Sequence, residues 1–153
     1  DGLIVKKGND FKTLHALVKK TFKRQGREID FEEFEKHGKK FGKTFITYKW
    51  EEPIAGIYIV SDSKRSYYLL GGYDPEKSHY GGNALAFWEA IKYTKDQNLQ
   101  EFDFEGSMVP EIERFFRQFG GELVPHYFVR KFRLPLEILF TLINFIRRNK
   151  NEN

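Results

Sequence analysis

Thr44-Phe45-Ile46-Thr47-Tyr48-Lys49-Trp50, then Glu51-Glu52-Pro53, then Ile54-Ala55-Gly56-Ile57-Tyr58-Ile59-Val60 is the stretch that decides the fold class. The first run alternates, the middle turns, and the last is rich in β-branched residues, the pattern of two strands joined by a tight connection. Ser61 to Arg65 turns again and Tyr67 to Leu70 follows as a third strand, so an antiparallel meander is expected. Upstream the period is helical. After a short strand at Leu3–Lys7, Asn9 or Asp10 caps a helix to about Gln25, with Phe11, Leu14, Leu17, Val18 and Phe22 on one face, and Gly26 stops it. Asp30 caps a second, short helix whose Phe31 and Phe34 face inward, with Phe41 the next candidate.

Downstream of Gly71-Gly72 and the Asp74-Pro75 turn, Asn83 is placed to cap a helix to about Gln97. Ala84, Phe87, Trp88 and Ile91 form its buried side. Glu101–Glu105 reads as a short strand. Pro110 lies in the first turn of a further helix with Ile112, Phe115, Phe116 and Phe119 at i, i+3, i+4, i+7. Gly120-Gly121 ends that helix and Leu123–Phe132 returns as a strand. The order predicts a mixed α/β sandwich around one sheet over residues 1–133, with no linker or repeat.

The chain has 153 residues, one domain's worth, and its 16 Phe, 8 Tyr and 2 Trp exclude a disordered polar tail. No cysteine is present, which removes disulfides, thiolate metal sites and a cysteine nucleophile, and suits a reducing, cytoplasmic setting. The net charge of +4 allows an anionic partner without requiring one. Asp1-Gly2-Leu3 offers neither an initiator Met nor an apolar leader, and reads as part of a longer protein.

Residues 134–153 are distinct. Leu136, Leu139, Phe140, Ile143 and Ile146 line a wide apolar face of a helix, and Arg147, Arg148 and Lys150 follow. Thirteen residues are too few for a bilayer, which needs ~20. The helix is expected to bury itself on its own domain, on a missing N-terminal domain or on a second subunit. A second reading lays 134–150 on the inner membrane face with its basic residues at the headgroups.

Phosphate-loop and dinucleotide fingerprints are absent, and His15, His37, His79 and His126 have no metal-binding spacing. Basic and aromatic residues interleave at 127–133, but a half-buried strand alternates in the same way, so no duplex-DNA partner is expected.

Residues 66–127 carry the most information. Ser66-Tyr67-Tyr68-Leu69-Leu70-Gly71-Gly72-Tyr73-Asp74-Pro75, Phe102-Asp103-Phe104-Glu105-Gly106-Ser107 and the aromatic-Arg helix ending in Phe119-Gly120-Gly121 together resemble the GNAT-like acyltransferase domain of the Fem-type peptidoglycan bridge-forming aminoacyl transferases. Members commonly carry two such domains, and this chain looks like the second. The resemblance implies a GNAT-like mixed sheet flanked by helices. It also implies transfer of an activated acyl or aminoacyl group, from acyl-CoA or aminoacyl-tRNA and without metal, to an amine of a cell-wall precursor or related glycoconjugate. The alternative is a GNAT-like module that has lost its chemistry and binds a partner or a membrane surface.

Such a site needs an anion cradle, a polarised carbonyl and a proton acceptor. Gly81, Gly82 and Asn83 at a helix start are candidates for the cradle, with Arg114 as a further donor-binding residue. The same glycines also serve as a plain turn. Glu101, Asp103 and Glu105 alternate with Phe102 and Phe104 and share one face. Asp103 or Glu105 is a candidate base if desolvated in a cleft, and the competing reading pairs the acids with Arg114 or Arg117. Arg117 stands where the Fem-type helix is basic. Ser107 either caps the next helix or meets the acceptor. The resemblance also has gaps. The loop before Gly81 lacks the regular Arg or Gln of acetyl-CoA enzymes, and Phe115-Phe116 stand where those enzymes have a tyrosine.

Overall fold

The computed structural model describes residues 2–28, 30–77, 81–107, 109–127 and 129. Contacts divide the chain into two compact units, residues 1–121 and 122–153.

The first unit begins with strand β1 (Leu3–Gly8), helices α1 (Phe11–Arg24) and α2 (Phe31–Phe41), and strands β2 (Gly42–Lys49), β3 (Glu52–Ser61) and β4 (Arg65–Tyr73). Helix α3 (Gly82–Asp96), strand β5 (Glu101–Asp103) and helix α4 (Pro110–Arg117) complete it. The strands form one sheet in the order β1-β2-β3-β4-β5, antiparallel except that β5 runs parallel to β4. Each face is covered by helices, which is why Ile54 to Ile59 of the middle strand is buried without interruption.

On one face lie α1 and α2. The Asp10 carboxylate accepts the Thr13 N–H at 3.0 Å and so starts α1. Phe11, Leu14, Leu17 and Val18 then pack on Ile46, Tyr58 and Leu70, with Phe31 of α2 closing the cluster. The close approach of α1 to the sheet requires Gly72, where a Cβ would fall 2.6 Å from backbone atoms of Leu17 and Val18. Phe41, expected to face inward, is 62% exposed, because α2 ends at it and the chain turns directly into β2.

Helices α3 and α4 take the other face. Phe87 is the anchor, with ring centroids of Tyr68, Phe102, Phe104, Phe115, Phe116 and Phe119 4.8–6.4 Å away. The buried stripe of α3 is Gly82, Ala86, Phe87, Ala90 and Thr94, rotated from the expected Ala84, Phe87, Trp88 and Ile91. Small Ala86 and Ala90 let the backbone approach the sheet, and Thr94 meets its polar needs by donating to Ala90 O at 2.8 Å and bonding Ser66 Oγ at 2.8 Å. Trp88 is left half-exposed.

In the second unit only residues 122–127 and 129 are described. The expected strand from Leu123 does not form there. No ladder pairs these residues, and Leu123, Val124, Tyr127 and Val129 are 69–88% exposed. Phe128 and 130–153, with the expected apolar helix, lie outside the described residues. No helix among the described residues is long and apolar enough to cross a membrane.

Candidate active site

Strand β5 meets β4 over three pairs only, Arg65 with Glu101, Ser66 with Phe102 and Tyr67 with Asp103. Beyond Tyr67, β4 continues for six more residues while β5 has ended, so the two chains part and leave a stretch of β4 edge uncovered. In this stretch the register with β3 slips. Tyr68 faces Ile59 and Leu70 faces Tyr58, so Leu69 opposes nothing and forms a bulge, 45% exposed.

Which backbone groups face the opening follows from alternation. Asp74 N–H bonds Ile54 O at 2.9 Å, so Asp74 points toward β3, and with it Gly72 and Leu70. Tyr73 and Gly71 point the other way. The Tyr73 backbone is taken by Thr21 of α1, whose Oγ1 accepts the N–H at 3.0 Å and donates to the carbonyl at 3.3 Å. The Gly71 N–H and C=O face the gap, and no strand among the described residues lies beside them.

The far end of this edge leads through 74–81 to α3. Its N-cap is Gly81, which has no side chain to cap with, and not Asn83, and the first turn contains no acidic residue. The first-turn N–H groups have no partner within the helix, and the positive end of its dipole lies there. Gly82 serves packing as well, since a Cβ would meet Ile54 Cδ1 at 3.0 Å. Its carbonyl accepts a buried 2.8 Å hydrogen bond from Thr47 Oγ1, which fixes the start of α3 to β2.

At the apex, Arg65 bonds Glu101 at 3.0 Å and lies 3.8 Å from Asp103. The acids are therefore partnered by Arg65 and not by Arg114 or Arg117, and this pairing exists only because β5 lies parallel to β4 in this register. Glu105 does not share their face. The strand ends at Asp103, Glu105 takes a φ of 58°, and its N–H donates to Asp103 Oδ1 at 2.8 Å. Asp62 locks the β3–β4 turn behind the apex. Its carboxyl is held down at about 2 by the N–H groups of Lys64 and Arg65 and by the Tyr67 hydroxyl.

On α4, Arg117 pairs with Glu113 one turn away, and Arg114 is exposed. Ser107 Oγ accepts the Val109 N–H at 3.1 Å, a turn that leads into α4. The structure thus joins Asp103 and Glu105 through one hydrogen bond at the apex, keeps Gly81, Gly82 and Asn83 together at the far end of β4, and leaves Arg114 and Arg117 on α4. Arg65, Leu69 and Gly71 escaped the sequence reading. Gly71-Gly72 looked like the end of a strand, and the only local sign was a tyrosine-rich strand running into two glycines.

A family model described as Acetyltransferase (GNAT) domain matches residues 4–117. A search of curated proteins gave no match. Among solved structures the chain is similar to AAC(6')-Iy in complex with the bisubstrate analogue CoA-S-monomethyl-acetylneamine. The identity is 11%, covering 87% of this chain and 99% of that one, with a TM-score of 0.67. It is also similar to a ribosomal-protein-alanine N-acetyltransferase from Brucella melitensis biovar Abortus 2308, at 10% identity over 86% and 99% of the two chains and a TM-score of 0.65. An aminoglycoside acetyltransferase from an uncultured soil metagenomic sample, in complex with trehalose, matches at 13% identity over 86% and 97% with a TM-score of 0.63. At such identities the likeness is one of fold.

Proposed function

The chain belongs to the GNAT acetyltransferase family, and from that premise we propose that it transfers an acyl group from acyl-CoA to an amine in the gap between β4 and β5. The observation that carries this reading is the parting of two parallel strands after Tyr67, with Gly71's backbone groups facing the opening and the start of α3 beyond it. Acyl-CoA supplies an activated thioester on an extended, amide-bearing arm with phosphates at its far end. An arm of that kind is complementary to a strand edge, because Gly71 offers one donor and one acceptor to an amide. The first turn of α3, beginning at Gly82 and Asn83, offers N–H groups to the phosphates.

In this reading the backbone of the bulge at Leu69 polarises the carbonyl, and Asp103 or Glu105 takes the proton that the amine must lose. The position of both acids at the apex, where the strands begin to part, supports that role. Arg117 and Arg114 on α4 serve anionic groups of the substrates, and Ser107 stands on the acceptor side. The finer reading is an acyl or aminoacyl transfer to a cell-wall precursor or related glycoconjugate, by one half of a tandem pair. It rests on the resemblance of residues 66–125.

Calorimetric titration with acetyl-CoA and with charged tRNA, followed by transfer assays on a panel of amines, tests the proposal. Binding of acetyl-CoA with release of free thiol on adding an amine is expected. Absence of acetyl-CoA binding overturns the reading, and transfer from charged tRNA alone replaces the donor.

A further inference from the structure

Strand β1 is one edge of the sheet, pairing with β2 and with no other strand among the described residues. The Trp50 N–H donates to the Gly2 carbonyl at 3.4 Å, which fixes the phase of the ladder. Counting in twos from Gly2, the backbone groups of Ile4, Lys6 and Gly8 point at β2, opposite Tyr48, Ile46 and Thr44. Those of Leu3, Val5 and Lys7 point away from the sheet. This edge therefore presents donors and acceptors at the spacing of a strand.

The side chains of Val5 and Lys7 open on the α3 face. There they line a cavity of about 220 Å³, with Phe45 of β2 and Tyr93 of α3 as further walls. That volume falls below the ~300–1,000 Å³ usual for small-molecule sites and suits one inserted side chain. Ile4, on the opposite face of β1, is 50% exposed. Lys6 and Lys7 lie over tyrosine rings, Tyr48 at 4.6 Å and Tyr93 at 4.5 Å. Neither forms an ion pair among the described residues. Of the two carboxylates at the cavity, Glu89 is taken by Lys92 at 2.6 Å, which leaves Asp96 alone against Lys6 and Lys7. Lys43 adds a further positive charge beside Asn9, where β1 ends. The edge is basic.

We propose that β1 is a docking edge for an extended acidic segment of a partner protein, which joins the sheet as an antiparallel sixth strand. Its residues opposite Lys7 and Lys6 are acidic. The next, opposite Val5, is a large apolar residue seated in the cavity, and the one opposite Ile4 is apolar. Lysines on an edge strand repel basic strands, a second copy of β1 included, and so choose the sign of the partner. The edge lies across β2 and β3 from β4 and the gap, so this proposal stands apart from the acyl-transfer reading.

The probe is the peptide Glu-Glu-Phe-Val-Thr, blocked at both ends, added to the whole chain and followed by amide hydrogen exchange. Without peptide, the N–H groups of Ile4, Lys6 and Gly8 should exchange slowly and those of Leu3, Val5 and Lys7 fast. At ten times its Kd the peptide should slow the second set about tenfold. Lys-Lys-Phe-Val-Thr and Glu-Glu-Ala-Val-Thr should each bind about tenfold more weakly. In the double variant Lys6→Glu, Lys7→Glu the order of the two charged peptides should invert, a swap that a merely structural role of the lysines does not produce. Val5→Pro removes an outward N–H without touching the bonds to β2, so it should fold and lose binding. If that variant fails to fold, the charge swap decides. The proposal is overturned if Glu-Glu-Phe-Val-Thr leaves Leu3, Val5 and Lys7 unprotected at ~5 mM, a concentration that would reveal even a millimolar Kd. Equal binding of the two charged peptides, or no inversion in the double variant, overturns it as well.

Discussion

Gly72→Ala tests how α1 is held on the sheet that carries the gap. The added methyl would lie 2.6 Å from the Leu17 carbonyl carbon and oxygen and from Val18 Cα. Carbon contacts prefer ~3.5–4.0 Å, so α1 and β4 must separate by roughly 1 Å. Neither neighbour is the free end of a side chain, so nothing can rotate out of the way. Separation loosens Leu14, Leu17 and Val18, each 0–3% exposed, and such overpacking costs about 1–3 kcal/mol. It also stretches the two Thr21–Tyr73 bonds of 3.0 and 3.3 Å, at about 1 kcal/mol each. The expected loss is about 4 kcal/mol. For a chain of this size that corresponds to a fall in Tm of roughly 8–16 °C. Urea unfolding followed by circular dichroism and tryptophan fluorescence measures it. Gly8→Ala is the control, because a Cβ there has nothing within 4 Å, and a change of at most about 0.5 kcal/mol is expected. A Gly72→Ala loss below about 1 kcal/mol, or an equal loss at Gly8, refutes the reasoning.

Three further outcomes follow from single contacts. Thr47→Val keeps the shape but strips Gly82 O of its buried partner. It should cost about 1–2 kcal/mol and raise the KM for acetyl-CoA more than it lowers kcat, which steady-state kinetics would separate. Tyr58→Phe removes the 2.7 Å bond to Gly38 O that anchors α2, and thermal denaturation should record a loss of about 1 kcal/mol. Asp74→Ala breaks a pair in which the carboxylate is buried and Lys20, 2.5 Å away, is half in water, so the cost should fall between exposed and buried pairs, at about 2 kcal/mol. Burial pushes the Asp74 carboxyl up, but the Lys20 ammonium and the Glu76 N–H outweigh that and hold it below its ordinary value. A lowered folded pKa stabilises above the unfolded value of ~3.9 and loses that contribution as pH falls through the folded value. The stability gap between wild type and Asp74→Ala should therefore be constant from pH 5 to 7 and close below about pH 4. A gap that widens in acid would contradict this sign.

The elements of the first unit were legible because each is a local decision. Asp10 caps α1, the Phe11–Val18 stripe repeats at helical pitch, and Glu51–Pro53 turns between two runs of strand formers. The candidate acids and the helix start were legible as residue types for the same reason. What failed locally is instructive. Asn83 was the better capping side chain, yet Gly81 holds the position, because Gly82 must lie against Ile54 and Ala55. The stripe of α3 turned from Trp88 toward Ala86 and Ala90 because the sheet beneath admits only small residues there. The alternation from Leu123 to Phe132 promised a strand, but in the described residues it has no partner edge to pair with.

By itself the sequence determined the alternation of helices and strands, the absence of cysteine and a resemblance to GNAT-like acyltransferases, of which the GNAT family is shown. Periodicity, capping and composition are short-range properties written in neighbouring residues. Tertiary structure alone decided that β5 leaves β4 after three pairs, that a one-residue slip opposite Tyr58 and Ile59 turns Gly71 toward the gap, and that Arg65 partners the acids. These depend on register between strands distant in the chain, and a slip of one residue changes which face and which backbone groups look outward.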